Sequence, residues 1–360
     1  MTYINGYALV SARGKDAFSS VESLRKGEST PSVLNSGMKY YKIDEAHSLS
    51  YYDMIEKIIR DAIIHAGLEK EDLSDMALFL GTSSAKLPLN EAYIQDQGRL
   101  LNDLYIDEIT QIMADRIGIK GFRTIISTAC TSSANALIQA KEMIESGLIQ
   151  KAVVVGIELY NLLSIKGFES FMLLTNNEIK PFDKMREGII LGEAVSAVVL
   201  SKKISPFVFL GGAVKVDTSS ITTPTPENLA LVMNEVLQDA KITADEVTAV
   251  KTHSTATKQN DDGEAKALHK VFSQNIPKVV ALKPYIGHTM GACGSTELVL
   301  FLEALAQGFI PKSIQFETVD PECNIFPSLE ESHAIEGYYM FNYFGFGGNN
   351  SSLILQYKGQ

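Results

Sequence analysis

The sequence predicts an α/β protein, and three observations carry that prediction. Short apolar runs alternate with stretches of helical period along most of the chain. The 360 residues are 45% hydrophobic and 21% charged, the proportions of a folded protein rather than of a disordered or collagen-like one. A polar, proline-ended break, Ser201-Lys-Lys-Ile-Ser-Pro206, divides the chain into two parts, 1–203 and 204–360, each long enough to hold a core of its own.

Taken in order, strands are expected at Tyr3–Val10, Met76–Gly81, Arg123–Ser127, Lys151–Ile157, Ala194–Leu200, Phe207–Val216, Val247–Thr252 and Val279–Lys283, where β-branched and aromatic residues cluster. Helices are expected at Ser50–Ala66, Ser132–Leu148, Glu227–Ala240, Asp261–Phe272 and Cys293–Gln307. In the second of these, Ala134, Leu137, Ile138, Ile144 and Leu148 form one apolar stripe. Tyr40–Ser50 and Lys86–Gln97 read as loops or covering elements. The two parts echo each other: Ala129-Cys130-Thr-Ser-Ser precedes one helix and Ala292-Cys293-Gly-Ser-Thr another.

Charge and cysteine content bound the function. A net charge of −11 opposes broad binding to nucleic acid or anionic lipid. Three cysteines without a CxxC pair fit neither a disulfide framework nor a zinc site, and suit a reducing compartment. No basic, apolar leader opens the chain and no apolar run approaches 20 residues, so a cytoplasmic location with no membrane span is expected.

Four segments carry chemistry. In Ile125-Ile-Ser-Thr-Ala-Cys130-Thr-Ser-Ser-Ala a strand ends in small residues and a helix opens at a thiol. N–H groups at a helix start favour the thiolate, and small neighbours leave room for a carbonyl. Read alone, Cys130 is equally a buried structural cysteine. In Val250-Lys-Thr-His253-Ser-Thr255-Ala-Thr257-Lys-Gln-Asn-Asp261 an imidazole ends an apolar strand, at the edge where α/β sheets hold ligands. His253 alone could also be a core histidine, and Asp261 a plain helix cap. In Lys283-Pro-Tyr-Ile-Gly-His288-Thr-Met-Gly-Ala-Cys-Gly294 a second histidine sits at a glycine-flanked turn, with Lys283 placed to orient it or to balance a carboxylate such as Glu297. Phe344-Gly-Phe346-Gly-Gly-Asn-Asn350 can turn tightly and present backbone N–H groups; its plainer reading is a glycine-rich hairpin.

In that order, these segments resemble the β-ketoacyl-acyl carrier protein synthases of the elongating Cys-His-His type. Gly6-Tyr-Ala-Leu-Val-Ser11, Leu24-Arg-Lys-Gly27 and Pro181-Phe-Asp183-Lys-Met-Arg186-Glu-Gly188-Ile-Ile-Leu-Gly192-Glu193-Ala extend the resemblance over nearly the whole chain. It implies a thiolase-like fold: two similar halves forming a five-layer αβαβα structure. It also implies decarboxylative condensation of an acyl thioester with malonyl-acyl carrier protein, in fatty-acid or type II polyketide synthesis. A short, divergent chain points to a specialised route such as an aryl-polyene-type pigment pathway over housekeeping lipid synthesis.

By the same resemblance Cys130 takes the acyl chain, and His253 and His288 bind the thioester oxygen that becomes an enolate. Lys283 and Glu297 support the second histidine. Thr255 and Thr257 contact the phosphopantetheine arm, and Phe346 gates the site while sharing the oxyanion hole with the N–H of Cys130. No cofactor or metal is implied beyond phosphopantetheine on the carrier protein. Expected partners are an acyl carrier protein and a second subunit, a homodimer first and a heterodimer with another ketosynthase-like chain second. Lys57, Arg60, Arg116, Lys120 and Arg123 are candidates for an anion-attracting patch.

The sequence departs from the family at Ser254, usually glycine, at Ala194 in the GEG segment, and at Asn349, usually threonine. It is also short ahead of Cys130, which leaves acyl-length preference open. A catalytically silent chain-length-factor-like subunit is the alternative, opposed by retention of the cysteine. Thiolases, which use a cysteine base, and acyl-CoA-priming synthases, which carry an asparagine for the second histidine, fit less well.

Overall fold

A computed structural model describes residues 1–99 and 105–359. The first part runs β1 (Thr2–Ser11), α1 (Ala17–Arg25), a short ladder β2 (Ser32–Val33) with β3 (Lys39–Tyr40), α2 (Tyr51–His65), β4 (Ala77–Gly81), α3 (Leu87–Gln97), α4 (Glu108–Ile117), β5 (Arg123–Ile126), α5 (Ser132–Glu145), β6 (Lys151–Glu158), α6 (Leu162–Ser170) and β7 (Ala194–Ser201). The second runs β8 (Phe207–Val216), α7 (Pro226–Ala240), β9 (Val247–Lys251), α8 (Lys258–Phe272), β10 (Lys278–Val280), α9 (Lys283–Ile286), α10 (Cys293–Ala306), a ladder β11 (Phe309–Ile310) with β12 (Ser332–His333), β13 (Gly337–Phe344) and β14 (Asn349–Tyr357).

Ten strands join in the order β10-β9-β13-β14-β8-β1-β7-β6-β4-β5. Outward from the central β8–β1 contact, each side shows its own first, fifth, fourth, second and third strand. On both sides the first two pairings are antiparallel and the last two parallel. The fold is therefore a duplication.

Strand alternation distributes the apolar side chains into layers. Leu78, Leu80, Val153 and Val155 face α2 and α4 through Ile55, Ile59, Ile109 and Met113. Their neighbours Ala77, Phe79 and Val154 face the middle, where α5 and α10 pack side by side. On the other side Val250, Met340 and Ile354 meet Leu229, Met233 and Leu268 of α7 and α8. The central α10 is apolar and buried almost all round, as a helix between two sheets must be. These are the five layers αβαβα.

Several expectations need correction. Strands β13 and β14, and helices α1, α4 and α6, were not expected, and Lys86–Gln97, read as a loop or covering element, contains α3. Leu148 lies beyond the end of α5 and is exposed, because Gly147 at φ +79° ends the helix. The strand expected to reach Lys283 stops at Val280, and Pro284 opens a one-turn helix. Helix α8 begins at Lys258, so Asp261 is not its cap; its carboxylate accepts from the N–H groups of Phe182 and Ala256. Of the basic candidates, Lys57, Arg60 and Arg116 pair with Asp61, Glu56 and Asp53 around α2, which spends their charge locally.

Candidate active site

Cys130 sits in a tight turn between β5 and α5. Ala129 adopts φ +52°, and Ser132 Oγ accepts the Thr128 N–H while donating to the Ala129 carbonyl, pinning the turn. The sulfur lines a cavity shared with His253, His288, Thr255, Thr257 and Phe346. All five sequence-predicted residues around the sulfur are thus brought together, while Lys283 and Glu297 lie in the layer behind.

His288 Nε2 is 3.0 Å from Cys130 Sγ. Burial pushes the Cys130 thiol up to about 11; the N–H of Phe346, the Lys283 ammonium and the N–H of Cys130 itself pull the other way, and burial wins. The helix-start argument for a resting thiolate is therefore outweighed, and the resting nucleophile is a thiol. Alkylation of Cys130 by iodoacetamide should accelerate about tenfold per pH unit from pH 7 to 9 and level off only near 11. A plateau already at pH 7 would show a lowered pKa instead.

His253 follows β9. Its N–H and that of Ser254 both donate to the buried Glu264 carboxylate on α8, at 2.8 Å each, which fixes the turn carrying the ring. Ser254, the departure from glycine, holds φ +45° in the left-handed region that glycine enters freely. The Lys283 Nζ lies 3.4 Å from His253 Nδ1 and 2.7 Å from Glu297 Oε1. The lysine–glutamate pair thus supports the first histidine, not the second as expected, because the α9 turn swings Lys283 toward β9. With Nδ1 facing an ammonium, the His253 proton belongs on Nε2.

The two imidazoles stand 5.5 Å apart, nearly perpendicular. Burial, and then Lys283 with other nearby cations, holds both well below the usual histidine range, so each is neutral at pH 7. Neutral rings present one N–H apiece, the form that stabilises a developing negative oxygen without first having to lose a proton.

Sequence reading missed two parts of the site. Lys251 Nζ reaches Glu297 Oε2 at 2.5 Å from the strand below; the sequence placed it inside an expected strand with no role of its own. The segment Ser220, Ile221, Thr222, Thr223 and Pro224 forms one wall of the cavity, and its hydroxyl-rich composition was a visible signal. Thr255 and Thr257 stand at the mouth with their hydroxyls 2.8 Å apart.

Phe346 stacks on Phe168 across the cavity. Its loop is tied to the opposite wall, with Gly347 N–H donating to Ile221 O and Asp217 N–H to Gly348 O, both at 2.8 Å. Gly348 has φ +77°, and a Cβ there would come within 1.9 Å of Asp217 O. Gly348→Ala should lower the melting temperature and slow turnover together, by breaking this junction (~1–3 kcal/mol for such strain); thermal unfolding beside a rate assay checks it.

The Pro181–Ala194 segment holds the walls rather than the chemistry. Arg186 pairs with Asp320 at 2.6 Å and with Asp262, and Asp183 accepts from the N–H groups of Glu317 and Thr318. Glu193 accepts from Ile43 and Tyr160 N–H.

Comparison with known proteins agrees with this arrangement. The model of the β-ketoacyl synthase N-terminal domain matches residues 52–204, and that of the C-terminal domain residues 207–317. The chain is 30% identical over 260 residues to a chloroplastic 3-oxoacyl-[acyl-carrier-protein] synthase I of Arabidopsis thaliana, covering 67% of this chain and 55% of that one. It is 30% identical over 270 residues to 3-oxoacyl-[acyl-carrier-protein] synthase 2 of Coxiella burnetii, covering 69% and 65%. The match therefore spans under two thirds of the length of these relatives. In fold, the chain superimposes on the ishigamide ketosynthase/chain length factor with a TM-score of 0.90, 99% coverage of both chains and 23% identity. With both family domains matched in order and the duplicated sheet beneath them, the chain belongs to the β-ketoacyl synthase family.

Proposed function

We propose that the protein is a 3-oxoacyl-[acyl-carrier-protein] synthase acting in fatty-acid or type II polyketide synthesis. The observation that carries this reading is the convergence of one thiol and two neutral imidazoles on a single cavity.

In the first half-reaction the Cys130 sulfur attacks the carbonyl of an acyl thioester and gives up its proton to His288 Nε2, its neighbour at 3.0 Å. The oxyanion is held by the N–H groups of Phe346 and Cys130. Collapse breaks the C–S bond to the carrier, and the departing phosphopantetheine sulfur takes the proton. In the second, malonyl-acyl carrier protein threads its arm past Thr255 and Thr257. Carbon dioxide leaves with the C–C bond electrons left behind as an enolate, whose oxygen accepts the His253 Nε2–H and, once the His288 proton has exchanged from Nδ1 to Nε2 through solvent, that of His288 as well. The enolate carbon attacks the acyl carbonyl, the C–S bond to Cys130 breaks, the released thiolate takes a proton from solvent, and a 3-oxoacyl product two carbons longer departs. The substrates ride on phosphopantetheine, and the reaction written this way calls on no other cofactor and no metal.

An acyl carrier protein is the partner this chemistry requires, and the cytoplasm the compartment that three free cysteines suit. A subunit partner is favoured by β5, an edge strand of the sheet, with exposed Phe122 and Arg123 and partly buried Ile125 and Ile126 along it. A homodimer pairs this edge with itself; the ishigamide ketosynthase/chain length factor makes a heterodimer the other arrangement. Because Cys130 is retained and lines the cavity, the chain is read as the catalytic subunit and not the silent one.

The test supplies purified protein, alone and with candidate subunits, with malonyl-acyl carrier protein and a ladder of acyl primers. A 3-oxoacyl product two carbons longer than a primer is expected; no product with any primer or subunit overturns the reading.

A further inference from the structure

Beneath His253, two lysines share one carboxylate. Lys283 Nζ is 2.7 Å from Glu297 Oε1 and Lys251 Nζ is 2.5 Å from Glu297 Oε2, and all three side chains have no solvent exposure. Lys251 also donates to Asn342 O at 2.7 Å and lies 3.6 Å from the centre of the Tyr343 ring. Two ammoniums on one carboxylate leave an unbalanced positive charge inside the protein. Such a charge is costly to bury, and a single lysine would have balanced Glu297 without it.

The arrangement has a geometric effect as well. Since Lys251 occupies Oε2, Glu297 holds Lys283 through Oε1 alone, and Lys283 keeps an N–H free for His253 Nδ1 at 3.4 Å. Were both oxygens available, they could draw the Lys283 ammonium away from the ring.

We propose that Lys251 is a positioning residue for the decarboxylative step: by sharing Glu297 it keeps Lys283 on His253 Nδ1 and supplies the surplus charge that holds His253 as the neutral Nε2–H donor. The reaction it serves is the one proposed above, so the inference rests on that reading, but its first test does not.

Several groups face this cluster. Cys293 is on α10, Tyr343 on β13, and Glu264 on α8 holds the His253 N–H from the far side; His288 and Cys130 stand across the cavity. Burial raises Glu264 to about 7, so it does not steadily cancel the surplus. Lys251 is lowered to about 8, by burial first and by Lys283 against the pull of Glu297. Its charge is therefore present below about pH 8 and is lost as pH rises past that value.

The experiment compares the parent protein with Lys251→Gln, which keeps hydrogen bonding without charge, and Lys251→Arg, which keeps charge. Lys251→Met serves if glutamine fails to fold. The first readout is NMR titration of the His253 ring, which requires no activity. Its pKa should rise by about one unit in the glutamine variant, as expected for loss of one nearby cation, and return toward the parent value with arginine. The second readout is the pH profile of malonyl-acyl carrier protein decarboxylation. The acidic limb should move up with glutamine and return toward the parent position with arginine. A folded, charge-free variant whose His253 titration matches the parent overturns the proposal. A parent enzyme that decarboxylates nothing overturns the functional reading while leaving the titration result standing.

Discussion

Cys130→Ala abolishes the covalent acyl-enzyme and lowers condensation by on the order of 10⁴–10⁶-fold, the loss seen when a covalent nucleophile is removed. The reason is geometric: among the lining residues, Cys130 alone offers a sulfur, and it sits where His288 Nε2 and the Phe346 N–H converge. Decarboxylation of malonyl-acyl carrier protein should survive in this variant, because both histidines remain. Intact mass after incubation with acyl-carrier protein reads the first effect and carbon dioxide release the second. A covalent acyl adduct on the alanine protein would refute the nucleophile assignment.

His253→Ala and His288→Ala should each slow decarboxylation by roughly 10²–10³-fold, the cost of deleting one donor to a developing oxyanion. Their effects on acylation should differ. His288 Nε2 touches the sulfur, whereas His253 contacts Lys283 and the cavity, so only His288→Ala should also slow acyl transfer to Cys130. Single-turnover acylation followed by mass, beside the decarboxylation rate, separates the steps. Equal acylation rates in the two variants would remove His288 from the first half-reaction.

Much of this site was legible in the sequence because its residues lie at strand ends and helix starts, where small residues and glycines mark the turns. Cys130, His253, His288, Thr255, Thr257 and Phe346 each sit in such a punctuated segment. Lys251 was not legible: it lies inside an apolar strand, and only the fold shows that its side chain enters the centre of the molecule rather than reaching solvent. The direction of Lys283 was misread for a related reason, since Pro284 turns the chain immediately after it and decides which histidine it meets. The same holds for architecture. The strand–helix alternation announced α/β, but the unequal spacing of elements left only a short Ala-Cys echo to hint at the repeat, which the matching strand orders on the two sides of β1 and β8 make plain. Strands β13 and β14 were not legible because they are poor in β-branched residues, β13 being an aromatic run and β14 opening on Asn-Asn-Ser-Ser, with the glycine turn between them the stronger local signal.

The sequence echo of Ala129-Cys130 in Ala292-Cys293 is out of register in the fold: the one-turn segments Ala129–Thr131 and Met290–Ala292 correspond, so Cys293, the first residue of α10, matches Ser132. Cys293 donates to the Cys130 carbonyl and has no exposure, while Cys130 opens on the cavity. A soft electrophile shaped for the cavity therefore has one target, with an inert sibling in the same molecule as its reference, and the extent of labelling counts competent centres directly.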